Sequence, residues 1–263
     1  MILISVNLVK IMSKVFLWDM TYEEARTAFK EADFVVLPTG SIEQHSLHLP
    51  VSVDSIRAEE LTKYLVENSG GLKMVMLPAL VYGQSLHHIR FPGTVTLTEE
   101  TYMNVIKDVA WSVKQHGAKR LLIVNYHGGN VAPIELTRLR IEREIGLKLY
   151  FVKWSEYASE TVKAWAPGMD YGHSGFYETS MILKFRPDLV QKDKIKVQET
   201  RYDTKMMGGR TPTRAPSAAY FDDNFITGGI GDPSLSSVDL ADKVIPIATE
   251  KIVEALKEDM QHE

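Results

Sequence analysis

FVVLPTGSIEQHSLHLPVSVDSIRAEELTKYLVE, residues Phe34–Glu67, changes character twice along its length. Phe34–Pro38 is a short apolar, β-branched run. Continuous runs of this kind suit strands covered on both faces, as in a parallel sheet. From Gly40 to Asp54 the hydrophobic period disappears, and two acids, two histidines and a proline occupy a loop. From Asp54 the period becomes helical. Leu61, Leu65 and Val66 share one side, and Gly70 stands just beyond as a stop. Strand, loop and helix in that order are the repeating unit of an α/β fold.

The same alternation extends outward. MVMLPAL (Met74–Leu80), RLLIVN (Arg120–Asn125) and LKLYFVK (Leu147–Lys153) read as further buried strands. Thr21 and Glu24 form a capping-box signature ahead of a helix to about Ala32. Thr98–Gln115 is a longer helix closed by Gly117, and Val131–Ile145 carries Pro133 in its first turn, where proline is tolerated. A final helix covers about Asp239–Lys257. The expected fold is a three-layer α/β/α sandwich with a mostly parallel central sheet, formed by a single domain over residues 1–263. Arg201–Ser237 is rich in Gly, Pro, Ser and Asp and is expected to be a loop excursion. The apolar start, MILISVNLVKIM, is expected to be a leading strand or an extension upstream of a start at Met12.

Composition narrows the function classes. The chain has 263 residues, a net charge of -4 and no cysteine. Disulfides, thiolate-bound zinc and cysteine nucleophiles are excluded, and a cytoplasmic location is expected. A mildly acidic balance gives no reason to expect nucleic acid or a membrane as partner. A dinucleotide site would want G-x-G-x-x-G after the first strand, and GSIEQH does not supply it. Any metal must be held by nitrogen and oxygen.

Three loops carry such groups, each following a predicted structural junction. The first holds Glu43, His45, His48 and Asp54. The second is NYHGGN (Asn125–Asn130), with His127. The third is DYGHSGFYETS (Asp170–Ser180), where Glu178 falls in the first turn of a helix to about Phe185. Taken singly, each has an ordinary explanation. Asp54 suits a helix N-cap, and Glu178 suits the positive end of a helix dipole. A weaker group, YGQSLHHIRFPGT (Tyr82–Thr94), offers Ser85, His87 and His88 as pocket-lining residues. Six of the eight histidines fall in these four segments, leaving His116 and His262 outside. Ligands of parallel α/β sheets bind off the C-terminal strand ends. Convergence there of Glu43, His45, Asp54, His127 and Glu178 would suit two N/O-bound divalent ions with one bridging carboxylate. Zn²⁺ comes first, with Mn²⁺ or Fe as alternatives.

These motifs, with FPGT and GGIGDPSLSS in order between Leu37 and Ser237, resemble those of the creatininase (creatinine amidohydrolase) family. The resemblance implies an α/β/α domain, a dinuclear metal centre, amide hydrolysis of a small-molecule substrate and a homo-oligomer, often a hexamer. It implies that Glu43 and His127 bind one ion, His45 the other, and that Asp54 bridges them. A bridging hydroxide would attack the carbonyl and His173 would pass a proton to the leaving nitrogen. Asp170 matches an acidic residue near the substrate. Ser85, His88 and Tyr126 are expected beside it. Members acting on creatinine look to carry Glu two residues after the histidine matching His127; here that position is Gly129. Other branches draw the carboxylate from the ETS segment, here Glu178, expected as both ligand and catalytic residue. This argues against creatinine as substrate. Ser46-Leu47 also stands where the family commonly has Gly-Pro. Alternative readings are another bond at the same centre (a small peptide or a cyclic ketone) or a non-catalytic metal-binding scaffold.

Overall fold

A computed structural model describes residues 14–199 and 220–262. The expected leading strand at residues 1–12, and residues 201–219 of the expected loop, lie outside them. Four strands form one parallel sheet: β1 (Phe34–Thr39), β2 (Met74–Met76), β3 (Arg120–Asn125) and β4 (Lys148–Lys153). Their spatial order is β2-β1-β3-β4.

Alternation along the strands builds two cores. Phe34, Val36, Leu122, Val124 and Val152 point to one face. There they pack against α2 (Val53–Glu67), α5 (Trp154–Trp165), α6 (Phe176–Phe185) and α7 (Val238–Gln261). Val35, Leu37, Leu121, Ile123 and Leu149 point to the other. They meet α1 (Tyr22–Glu31), α3 (Glu99–Gln115) and α4 (Val131–Ile145). All six residues of β1 are buried, as a strand covered on both faces requires. The architecture is the expected three-layer sandwich.

Local chemistry sets the element ends. Thr21 and Glu24 make the complete capping box that starts α1. Gly146, in the left-handed region at φ 66°, ends α4. Strand β2 is shorter than the expected Met74–Leu80. Its pairing with β1 runs to the Leu77 amide, which donates to the Val36 carbonyl, and resumes as an isolated bridge between Thr39 and Leu80. Pro78 lies in the gap and has no N–H to give the ladder. Helix α5 was not among the expected elements. Its signal is the stripe Trp154, Ala158 and Val162, all buried against the sheet.

The sheet brings its C-terminal ends together. The loop after β1 carries Glu43 and His45, and the chain then enters α2 with Asp54 in the first turn. Strand β3 ends at Asn125, two residues before His127. Gly40 lies directly against the start of α2. A Cβ there would lie 2.7 Å from the Ser55 Cα and 2.9 Å from the Asp54 carbonyl carbon, both backbone atoms. Gly40→Ala is therefore expected to push the start of α2 away from β1. It should lower the melting temperature and weaken metal uptake together, as read by thermal unfolding with and without added Zn²⁺.

Candidate metal centre

Asp54 is buried on α2, and its two carboxylate oxygens face different neighbours. Oδ2 lies 3.1 Å from His127 Nδ1, and Glu43 Oε2 lies 3.2 Å from the same nitrogen. Oδ1 lies 3.6 Å from His45 Nε2, which is also 3.6 Å from Glu178 Oε2. Two groups thus share Asp54: Glu43 with His127 on one side, His45 with Glu178 on the other. Glu43 Oε2, Asp54 Oδ2 and His45 Nε2 are buried and have no hydrogen-bond partner. Buried polar atoms left in this way are rare in folded proteins. Three carboxylates and two imidazoles, three of them with an unpartnered buried atom, form a donor set that fits hard or borderline divalent cations.

The histidines are held from behind. His127 Nε2–H donates to the Gln84 carbonyl at 2.9 Å, which leaves Nδ1 facing the carboxylates. Ser85 Oγ also sits 3.1 Å from that Nε2 and is hydrogen-bonded to Ser41. His45 Nδ1–H donates to the Glu43 carbonyl at 3.1 Å, turning Nε2 inward. Such outer partners fix the tautomer of a metal-binding imidazole.

The carboxylates of the site favour positive charge on their neighbours. Burial works against a proton on His45, but Asp54, Glu178 and Glu43 outweigh it and hold its pKa up at about 9. Burial likewise opposes the proton on His127, yet Glu43 and Asp54 raise its pKa well above the usual value. Burial would raise the pKa of Glu43, but His127 holds it well below the carboxylate range. His88 and His173 go the other way. Burial pushes His88 down to about 2 and also lowers His173, so both stay neutral.

The remaining expected residues separate into those at the cavity and those behind it. A cavity of about 320 Å³ opens over the site, walled in part by His87, His88, Tyr126, His173 and Phe221. His173 Nδ1 lies 3.6 Å from Glu43 Oε1, while its Nε2–H donates to the Gln44 carbonyl at 2.7 Å. His88 takes a hydrogen bond from the Gln44 amide at Nδ1. Tyr126 lines the cavity with its ring, but its hydroxyl is taken by Thr62 at 3.0 Å. Ser85 stands behind His127. Asp170 is exposed, and its Oδ1 accepts the Gly172 N–H at 3.0 Å, ordering the turn before His173. His48, which had no expected role, ties the first loop to α6 through Thr179 Oγ1 at 2.9 Å.

Two further residues emerge from the structure. Phe221 places its ring 4.3 Å from His88 and 5.1 Å from His173. Arg57 is buried, and its Nη1 donates to Glu178 Oε1 at 2.6 Å and to Asp54 Oδ1 at 3.2 Å. The only sequence signal for Arg57 was its place one helical turn after Asp54.

Both departures from the usual motif have a geometric account. A Cβ on Gly129 would lie 2.0 Å from the Gln84 carbonyl oxygen and 2.5 Å from His127 Nε2. A side chain there would force the Gln84 backbone or the His127 ring to shift, whereas Glu178 reaches the site from α6. Ser46 adopts φ 59°, a conformation that favours glycine. Its Oγ donates to Gln198 and its N–H to Gln44 Oε1, which offsets the strain.

Comparison with known proteins agrees with the motifs. The Creatininase family model, described as creatinine amidohydrolase, matches residues 18–256. The chain is 32% identical to creatinine amidohydrolase of Pseudomonas putida over 204 residues, covering 70% of this chain and 77% of that protein. It is 32% identical to the mycofactocin precursor peptide peptidase of Mycolicibacterium smegmatis over 167 residues, 61% of each chain. A solved creatininase mutant of Zn–Zn type superposes with a TM-score of 0.77 at 25% identity, covering 94% of this chain and 98% of that one. The chain belongs to the creatininase family.

Gly129→Ala is expected to displace His127 or the Gln84 backbone, costing on the order of 1–3 kcal/mol as overpacking does. Urea unfolding of the metal-free protein measures that cost. A protonated His45 cannot bind a cation. Metal affinity should therefore strengthen as pH rises toward about 9, where His45 gives up its proton; chelator competition between pH 6.5 and 9 reads the slope.

Proposed function

We propose that this creatininase-family chain is a metal-dependent amidohydrolase cleaving a C–N amide bond, cyclic amide or formamide, of a small molecule. Residues 1–263 act as one domain with two divalent ions, zinc first, and manganese or iron as alternatives. The observation that carries this reading is Asp54, whose two oxygens face two separate ligand groups beside orphaned buried donors. Glu43 and His127 would hold one ion with Asp54, and His45 and Glu178 the other. Such a pair supplies an activated water at neutral pH and polarises a carbonyl.

His173 supplies the proton chemistry. Its Nε2–H is committed to the Gln44 carbonyl, so Nδ1 is the basic atom turned to the site. Burial lowers its pKa, which keeps that nitrogen free to collect a proton. His173 then returns the proton to the departing nitrogen, closing the acid–base cycle. His88, Tyr126 and Phe221 give the substrate a flat, largely aromatic wall. Ser85 acts indirectly by steadying His127, and Asp170 by shaping the turn before His173. Creatinine is disfavoured, because Gly129 stands where members acting on creatinine look to carry Glu. A homo-oligomer, hexameric by family resemblance, and a cytoplasmic location belong to the same proposal. Among the described residues no helix is long and apolar enough to cross a membrane.

A second reading keeps the centre and changes the substrate to a short peptide. The 32% identity to a peptide peptidase favours it. A panel of lactams, formamides and short peptides decides between the two.

Elemental analysis of reconstituted protein should give two ions per chain, and Asp54→Ala should lose both. His173→Ala should retain the metals and lower kcat by about 10²- to 10⁴-fold, the range for one acid–base group. Fewer than one ion per chain, or unchanged metal content in Asp54→Ala, would overturn the proposal.

A further inference from the structure

The wall of the cavity over the metal centre includes one lysine and one arginine, Lys153 and Arg57. They are engaged differently. Arg57 is buried, and its Nη1 donates to both Asp54 and Glu178. Lys153 Nζ pairs with Glu156 Oε1 at 3.5 Å. That distance is long for a charge-assisted hydrogen bond. Glu156 is 68% exposed and does not belong to the cavity wall. A solvent-exposed partner of this kind holds a lysine weakly.

The backbone brings Lys153 to the same sheet edge as the ligand set. It is the last residue of β4 and stands in register with Asn125, the last residue of β3. His127 follows Asn125 by two residues. Neighbouring strands run about 5 Å apart, so Lys153 ends the strand next to the one that delivers His127. Ser155, in the first turn of α5, joins the same wall. Lys153 is the N-cap residue of α5 and gives its first-turn N–H groups no side-chain acceptor. A helix start of this kind favours negative charge. An ammonium, a hydroxyl and the positive end of a helix therefore meet at one place in the wall.

We propose that Lys153 is a specificity-determining residue that binds an anionic group on the substrate, a carboxylate or a phosphate, while the amide of the same molecule sits at the metal centre. The inference rests on the amidohydrolase reading above and names its substrate class: a lactam or formamide carrying an acid a few bonds from the scissile C–N bond. An acid bound to the metal ions themselves would occupy the place the carbonyl needs in order to be polarised. An anchor one strand away lets acid and carbonyl bind at once, and two anchors fix the orientation of the bond between them. Arg57 is not free for this work, because two carboxylates already accept from it. Lysine, a point charge on a flexible stem, suits either acid. Its side chain is 37% exposed, so the charge selects among substrates more than it adds raw affinity.

The experiment takes metal-loaded wild type, Lys153→Met and Lys153→Arg through a matched panel. The panel is one lactam and one formamide, each made with a carboxylate, a phosphate or a neutral hydroxyl at the same position. Initial rates give kcat and KM, and metal content and melting temperature are recorded for each protein. Wild type should favour one acid over its neutral counterpart by about tenfold or more in kcat/KM, and which acid it favours separates carboxylate from phosphate. Lys153→Met should remove that preference by raising KM for the acid about tenfold. Its kcat, its KM for the neutral compound, its metal content and its melting temperature should stay at wild-type values. Lys153→Arg, which keeps the charge, should keep the preference. Wild-type kcat/KM values within about threefold across the panel would overturn the inference without needing any variant. A preference that survives Lys153→Met would belong to the metal ions and overturn it too. So would an equal loss on the neutral compound, which marks a structural effect. A loaded wild type that turns over no member of the panel would overturn the amidohydrolase reading itself, and the inference with it.

Discussion

Asp54 is the constraint on which the rest of the site depends. A carboxylate buried to 2% exposure is costly unless cations surround it. Here it lies within 3.6 Å of His45, His127 and Arg57. Glu43 and Glu178 crowd the same volume, so the site gathers three acids in a region where one would already need a partner. No apolar core would select that arrangement for stability. It becomes favourable once positive charge arrives, whether as protons on His45 and His127, as the Arg57 guanidinium, or as metal ions. The fold delivers the acids to one place by ordinary means. Two parallel strands end side by side, α2 starts against Gly40, and α6 presents its first turn across the gap.

The strands were legible because their burial on two faces writes continuous apolar runs, which β1 and β3 show most plainly. Helix α5 was harder to see. It follows β4 without a break, so Trp154 reads as the end of an apolar strand rather than the start of a helical stripe. Strand β2 read too long because Pro78 sits inside an otherwise apolar run. The residues bordering the ligand set were less legible than the set itself. Arg57 meets Glu178 across 121 positions of chain, and on an isolated helix it looks like any solvated arginine. Phe221 reaches His88 from beyond a long Gly- and Pro-rich stretch whose period carries no signal. Local patterns report which atoms are available. They do not report which atoms a distant loop will meet.

Gly129 shows how a missing residue can be as informative as a present one. Its absent side chain makes room for the Gln84 carbonyl, and that carbonyl fixes the tautomer of His127. A glutamate at the same place would have to displace the group that aims the imidazole. The third carboxylate at the site is Glu178 on α6, 3.6 Å from His45. A carboxylate on α6 lies within reach of α2, and α2 carries Arg57 one turn beyond Asp54. Glu178 thus reaches His45 already paired with a positive charge.

That pairing alters what the cavity asks of its occupant. With Arg57 bound to Asp54 and Glu178, its charge is answered within the site by those two carboxylates. The walls nearest His173 are imidazole and phenyl rings, with neutral His88 against Phe221. A flat molecule with a polarisable carbonyl suits such walls better than a strongly hydrated ion, whose desolvation these rings would not repay. Phe221, 43 positions beyond Glu178 in the chain, joins that wall through its ring contacts. Phe221 in turn stacks on Phe225 at 4.3 Å, and Arg90 bonds the following Asp223 at 2.9 Å. The Phe221 side of the wall thus has supports of its own in Phe225 and Arg90.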